Sequence, residues 1–372
     1  MEYSLGLYEK AIPVGFSFPK MFDITREGGF DRLEISIDET DWRLARLDWS
    51  PEKQRELAVL ARAAGTPIRT MCLSGHRKYP LGSHDPEIRK RSMEIMRKAI
   101  EFSVNAGISL IQLAGYDVYY EQGDEDTVKW FVDGLKESAD YAARWGVAMG
   151  FETMETPFMD TVEKSMVYVS KVNNPWLGVY PDIGNLKNAA VIYGTDVVED
   201  MYKGAGHLFA VHLKETKPGH YRDMDFGTDG HTEYVRCIKA ALDMGVRTFT
   251  GEFWYQKGQD YEEVIGRSCN NLLIILALLV PELACESAHA HIQSCLDAAY
   301  ILGVSVCSEV HVAIVSGFCL FKVNRKEMSR AFVHILDYIC AVDHSRVLEI
   351  ADVGINAEPG VVRFTPCFCL IL

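Results

Sequence analysis

With 372 residues, 48% of them hydrophobic and 11% aromatic, the chain can bury a large core in one or two domains and does not read as disordered. A formal net charge of −14 argues against a nucleic-acid partner, whose phosphates require a basic surface, although a local basic pocket could still hold a small phosphorylated substrate. The N-terminus has no signal-peptide pattern, and the most apolar run, 272–280, is too short to cross a bilayer; a cytoplasmic protein with no membrane partner is the expectation.

In chain order, the candidate strands are 4–9 (SLGLYE), 32–38 (RLEISID), 68–74 (IRTMCLS) and 110–115 (LIQLAG). They continue with 148–153 (AMGFET), 177–184 (LGVYPDIG), 208–215 (LFAVHLKE) and 248–254 (TFTGEFW). Each is close to continuously apolar, as parallel strands covered on both faces are. Helical patterns lie between them. Segment 50–65 has a Ser cap, a Pro in the first turn and a closing Gly, and 85–107 repeats the design with an Asp cap. Segments 125–146 and 231–245 also close on Gly, and a last helix is expected near 260–275. Eight strand–helix repeats predict a (β/α)8 TIM barrel over residues 1–275. An open doubly wound sheet is the alternative, but no GxGxxG turn follows the first strand.

Residues 276–372 fall outside this rhythm and form a C-terminal extension of unknown structure. Eight of the ten cysteines lie at or beyond Cys269, whereas all six tryptophans precede residue 255. There is no CxxC pair, and Cys367 with Cys369 is only a C-x-C, so most thiols read as reduced apolar side chains. The terminal CLIL has the form of a prenylation signal but no polybasic segment beside it; we read it as accidental. The extension is expected to be dispensable for the chemistry.

The later strand ends carry the chemistry. Glu152, Asp182, His212 and Glu252 close strands five to eight at spacings of 30, 30 and 40 residues. Strand ends of a barrel converge on one face, where three carboxylates and an imidazole would repel without a cation. The oxygen-rich set with one nitrogen suits one divalent ion: Mn2+, Co2+, Zn2+ or Mg2+.

The strings LGLYEKAIP, DETDWRLARLDWS, MCLSGHRKYPLGS, EIMRKAIEF, IQLAGYDVYY, NNPWLGVYPDIGNL and VHLKETKPG closely resemble the L-ribulose-5-phosphate 3-epimerases, also called L-xylulose-5-phosphate 3-epimerases, of the xylose-isomerase-like barrel superfamily. The resemblance covers residues 1 to about 268. It implies a metal-dependent isomerase of L-ascorbate and pentose catabolism that acts on a small phosphorylated ketopentose. It also implies that Glu152, Asp182, His212 and Glu252 hold the metal and that Glu152 and Glu252 form the acid/base pair. Some related ketose 3-epimerases carry His three residues after the strand-six Asp; this chain has Asn185, which leaves the partner of the substrate oxygens in doubt. Glu155 supplies the acidic residue expected after Glu152. Candidate phosphate contacts are His76, Arg77, Lys78, Lys214 and Lys217, and Tyr8 and Glu9 could line the pocket. Competing readings are an aldose–ketose isomerase, a DNA-repair endonuclease of the same superfamily and a catalytically impaired metal-binding barrel. A homo-oligomer is left open.

Overall fold

The structure, a computed structural model, describes residues 3–226, 230–279, 311–315 and 318–322. All eight predicted barrel strands form: β1 (Ser4–Tyr8), β2 (Arg32–Ile37), β3 (Ile68–Leu73), β4 (Leu110–Ala114), β5 (Ala148–Glu152), β6 (Leu177–Val179), β7 (Val211–Lys214) and β8 (Thr248–Glu252). They are parallel, in the order β6-β5-β4-β3-β2-β1-β8-β7. The two ends of that order meet. Val179 bridges Leu208, Asp182 bridges His212, and the His212 N–H donates to the Pro181 carbonyl at 2.9 Å. This closes the sheet into a barrel, so no strand edge is left to pair elsewhere.

Ten helices are described in this part of the chain: α1 (Phe18–Glu27), α2 (Asp41–Leu44), α3 (Pro51–Ala63), α4 (Pro86–Ala106), α5 (Glu125–Trp145), α6 (Val162–Val172), α7 (Ile183–Tyr193), α8 (Val197–Tyr202), α9 (Tyr234–Asp243) and α10 (Tyr261–Leu279). The sequence signals act as expected. The Ser50 hydroxyl accepts from the Lys53 N–H at 3.3 Å and the Asp85 carboxylate from the Glu87 N–H at 2.8 Å. Gly107 ends α4 in the left-handed region at φ 79°, which a side chain would disfavour.

Two predicted boundaries move for local reasons. The strand expected over 177–184 stops at Val179, because Pro181 has no N–H to give the ladder and Asp182 instead caps α7. The helix expected over 231–245 starts at Tyr234, because the His231 and Thr232 N–H groups donate to Thr216 O and Glu215 Oε1. α10 runs to Leu279, so a domain boundary at 275 falls inside a helix.

Alternation along the strands sorts their side chains. Phe151 and Phe249 are fully buried on the outward, helix-covered side, while Arg32, Glu34, Thr70, Tyr180, His212 and Thr250 meet one another inside the barrel. Gly6 makes room for this: a Cβ there would lie 2.5 Å from the Arg32 guanidinium.

A separate unit contains an antiparallel strand pair, β9 (His311–Val315) and β10 (Phe318–Lys322), with Val315 opposite Phe318. The remaining expectations for 280–372, including the terminal CLIL, lie outside the described residues. No described helix is long and apolar enough to cross a membrane.

Candidate metal centre and active site

Parity brings the four strand-end residues into the barrel. On β5, Phe151 faces the helices and Glu152 the lumen; on β8, Gly251 and Glu252 divide in the same way, and on β7, Leu213 and His212. Asp182 follows β6 and has two tasks. Its Oδ1 accepts the Asn185 N–H at 2.7 Å as the cap of α7, and the Lys214 ammonium sits 3.1 Å from its Oδ2. One donor atom from each of Glu152, Asp182, His212 and Glu252 lies within 4.8 Å of the others, and all four residues are buried.

The buried charges in this space act strongly on one another. Burial, and then the negative Glu252, push Glu152 up to about 8. Burial lifts Asp182 to about 6, although Lys214 opposes it. Burial also works against ionising Glu252, but Lys214 and the His212 hydrogen bond outweigh it and hold that carboxyl well below its usual range. His212 resists protonation by being buried, yet Glu34 and Glu252 on its two sides raise it well above an ordinary imidazole. Lys214 stays cationic between Asp182 and Glu252 despite its burial.

The donor set fits a divalent cation. The lumen holds two fixed cations, Arg32 and Lys214, against the carboxyl groups of Glu34, Glu152, Asp182 and Glu252. A doubly charged ion beside a neutral imidazole brings this buried set to charge balance, which four carboxylates in a dry space otherwise lack.

The other predicted residues divide. Asn185 adjoins Asp182 in the first turn of α7, its side-chain amide donating to the Thr153 carbonyl at 2.7 Å while its Oδ1 has no hydrogen-bond partner among the described residues. Glu155 is at the mouth, accepting the Tyr119 hydroxyl at 2.9 Å. Arg77 joins it, with its Nε 3.3 Å from the Tyr116 hydroxyl and its guanidinium 4.8 Å from the Tyr119 ring centroid. Lys217 lies in an exposed turn bridged to His220. Lys78 is half-exposed, 3.8 Å from Asp41. Tyr8 lines the lumen, its ring centroid 5.9 Å from that of His212. Glu9 is buried in an ion pair with Arg46 at 2.7 Å.

His76 does not supply the cation expected of it. It is 5% exposed, with Nε2 3.2 Å from the Ser92 carbonyl, and burial lowers it to about 4. A neutral, engaged ring offers phosphate no charge. Because its folded pKa lies below the unfolded value of about 6.5, its contribution to stability is present above pH 6.5 and is lost as pH falls towards 4. His76→Gln should therefore flatten the acid limb: between pH 7 and pH 5 the parent should lose about 2 kcal/mol more than the variant in urea unfolding. The KM should not change. Parallel pH dependences for the two proteins would refute this account of His76.

Sequence reading missed Glu34, Arg32 and Tyr180. The Glu34 Oε1 is 2.5 Å from His212 Nε2, and the Tyr180 hydroxyl donates to Glu34 Oε2 at 2.7 Å. The signal was present as Arg32, Glu34 and Ser36 alternating through an otherwise apolar strand. Gln112 was missed as well: buried on β4, it has neither amide atom hydrogen-bonded within the described residues.

The family described as the xylose isomerase-like TIM barrel matches residues 22–273. The chain belongs to that family. Among curated relatives, the L-ribulose-5-phosphate 3-epimerase of Salmonella heidelberg (strain SL476) is 46% identical over 241 residues, covering 65% of this chain and 83% of the relative. That of Salmonella typhimurium is also 46% identical with the same coverage. Among solved structures, an L-ribulose 3-epimerase aligns with a TM-score of 0.62 at 15% identity, over 82% of this chain and 98% of its own. A D-allulose 3-epimerase from Methylomonas sp. aligns with a TM-score of 0.58 at 18% identity, over 72% and 96%. Both likenesses are of the fold. The residues beyond 273 lie outside the family match.

Proposed function

We propose that this chain is an isomerase, a metal-dependent 3-epimerase interconverting L-ribulose 5-phosphate and L-xylulose 5-phosphate, with a place in L-ascorbate and pentose catabolism. The observation that carries the reading is the Glu152–Glu252 pair: two buried carboxyls from β5 and β8 that share one compact donor ring with Asp182 and His212. Two carboxyl groups at one reacting carbon are what removing a proton from one face and returning one to the other needs. The 46% identity to the Salmonella epimerases supports the substrate class.

In this reading Glu152, Asp182, His212 and Glu252 hold one divalent ion, of which Mn2+, Co2+, Zn2+ and Mg2+ are the candidates. The chemistry such an ion supplies is polarisation of the C2 ketone and compensation of enediolate charge. One glutamate takes the C3 proton, and the other returns a proton to the opposite face. In this reading Asn185 Oδ1 and the Gln112 amide, both unengaged within the described residues, are the candidates to hold substrate hydroxyls. Arg77 and Lys217 remain the phosphate contacts of choice. Lys214 is engaged by the ring carboxylates and His76 is neutral.

The test is an assay on metal-stripped protein with each metal restored singly and the product identified by NMR. We expect turnover to fall to background on stripping, to return with at least one metal and to give the C3 epimer. An aldose product would favour the isomerase reading, and loading without turnover the impaired barrel. The endonuclease reading needs further histidine ligands, and among the described residues the cluster has one.

A further inference from the structure

We infer that Glu34 is a positioning residue for the metal centre: it fixes the His212 ring so that Nδ1 faces the other three ligands. The inference builds on the proposed metal site and concerns a residue outside its ligand set.

The argument follows hydrogen-bond direction through the lumen. Arg32 can only donate. Its Nη2 donates to Thr250 Oγ1 at 2.8 Å and to the Phe249 carbonyl at 2.9 Å, and its Nη1 to Thr70 Oγ1 at 2.6 Å. Thr250 therefore accepts from Arg32 and has one proton left to give. Tyr180 Oη lies 2.6 Å from Thr250 Oγ1 and 2.7 Å from Glu34 Oε2. Thr250 Oγ1 also lies 3.3 Å from Glu34 Oε2, so whichever of Thr250 and Tyr180 donates to the other, the chain of donors ends on Glu34 as acceptor. Glu34 thus receives at Oε2, and its Oε1 meets His212 Nε2 at 2.5 Å. An acceptor-only carboxylate there requires Nε2 to carry the proton. Nδ1 is on the opposite edge of the ring, 2.7 Å from Glu252 Oε2 and on the side of the four-residue donor ring, so it is the nitrogen left for a metal.

Three features show that this is a built arrangement. Glu34, Tyr180 and Thr250 are 0% exposed, so water does not compete for these bonds. The register of β2 against β3 shifts between Leu33 and Glu34, an irregularity of the kind that re-aims a side chain. Gly6 leaves the space that Arg32 fills. A histidine ligand whose other nitrogen is held by a carboxylate has its tautomer and ring plane set in advance, and losing such a partner typically weakens metal binding about 10- to 100-fold.

The full-length chain should be titrated with Co2+ while its visible spectrum is recorded, beside Glu34→Gln and Glu34→Ala. Glu34→Ala should bind Co2+ about 10- to 100-fold more weakly and show an altered band, while Glu34→Gln, whose carbonyl can still accept from Nε2, should recover most of the loss. Should Glu34→Ala fail to fold, Glu34→Gln and histidine 15N NMR of the parent decide. In the parent, the His212 Nε2–H should persist when Zn2+ is added, while the Nδ1 resonance moves. Unchanged affinity and spectrum in both variants, or a proton on Nδ1 with metal on Nε2, would overturn the inference while leaving the metal site standing. A parent that binds no Co2+ or Zn2+ overturns the metal site and the inference together.

Discussion

Replacing Glu152 or Glu252 by Gln should lower epimerisation by at least about a hundredfold, the scale of losing a positioned acid or base. Glutamine keeps the volume of the side chain and removes its proton chemistry, so the barrel should persist. Rate alone does not separate lost proton transfer from lost metal, since both residues belong to the donor ring. Solvent deuterium does. With two glutamates on opposite faces, each single variant retains the group that serves one epimer. That variant should still exchange the C3 hydrogen of one epimer with solvent while failing to complete the inversion, and the two variants should favour opposite epimers. Near-normal turnover in either, or exchange of both epimers by both, would rule out the two-carboxylate mechanism.

The sequence made the barrel and the ring legible for the same reason. Parallel strands covered on both faces leave few positions for charge, so Glu152, Asp182, His212 and Glu252 stood out at the ends of apolar runs. The β6 end was legible only in part: the apolar run suggests a strand to 184, but Pro181 and the cap role of Asp182 stop it at Val179. Glu34 was less legible. It lies mid-strand, where an acidic residue on a period of two reads equally well as a solvent-facing side chain. Only closure of the barrel shows that this face is the lumen, through contacts 146 residues from Tyr180 and 178 from His212. The phosphate candidates fared worst because a cation in a loop carries no register. His76 and Arg77 are adjacent in sequence, yet one is buried against the Ser92 carbonyl and the other stacks at the mouth beside Glu155. The parts of the site set by alternation could be read from sequence, and those set by loop path could not.

His212→Ala should remove most bound metal and leave the barrel folded. His212 is the one nitrogen donor in the ring and holds two carboxylates at once, Glu34 on Nε2 and Glu252 on Nδ1. Deleting it costs a ligand and leaves both acceptors without their shared donor. Hydrogen bonds to charged groups contribute about 1.5–3 kcal/mol each, so the variant should melt lower, but the helix-covered faces of the strands are untouched. Metal affinity should fall by at least about a hundredfold, the upper end of what an outer partner's loss causes. Elemental analysis of purified protein, with circular dichroism to confirm the fold, gives the answer; full metal content in a folded variant would make His212 a core histidine and nothing more. The same variant also tests the route by which Glu34 acts. If Glu34 works only by orienting this ring, adding Glu34→Ala to His212→Ala should weaken Co2+ binding no further, a coupling as large as the single effect of Glu34→Ala. Additive losses in the double variant would mean that Glu34 reaches the metal by another path, through the charge it places in the lumen and not through the imidazole.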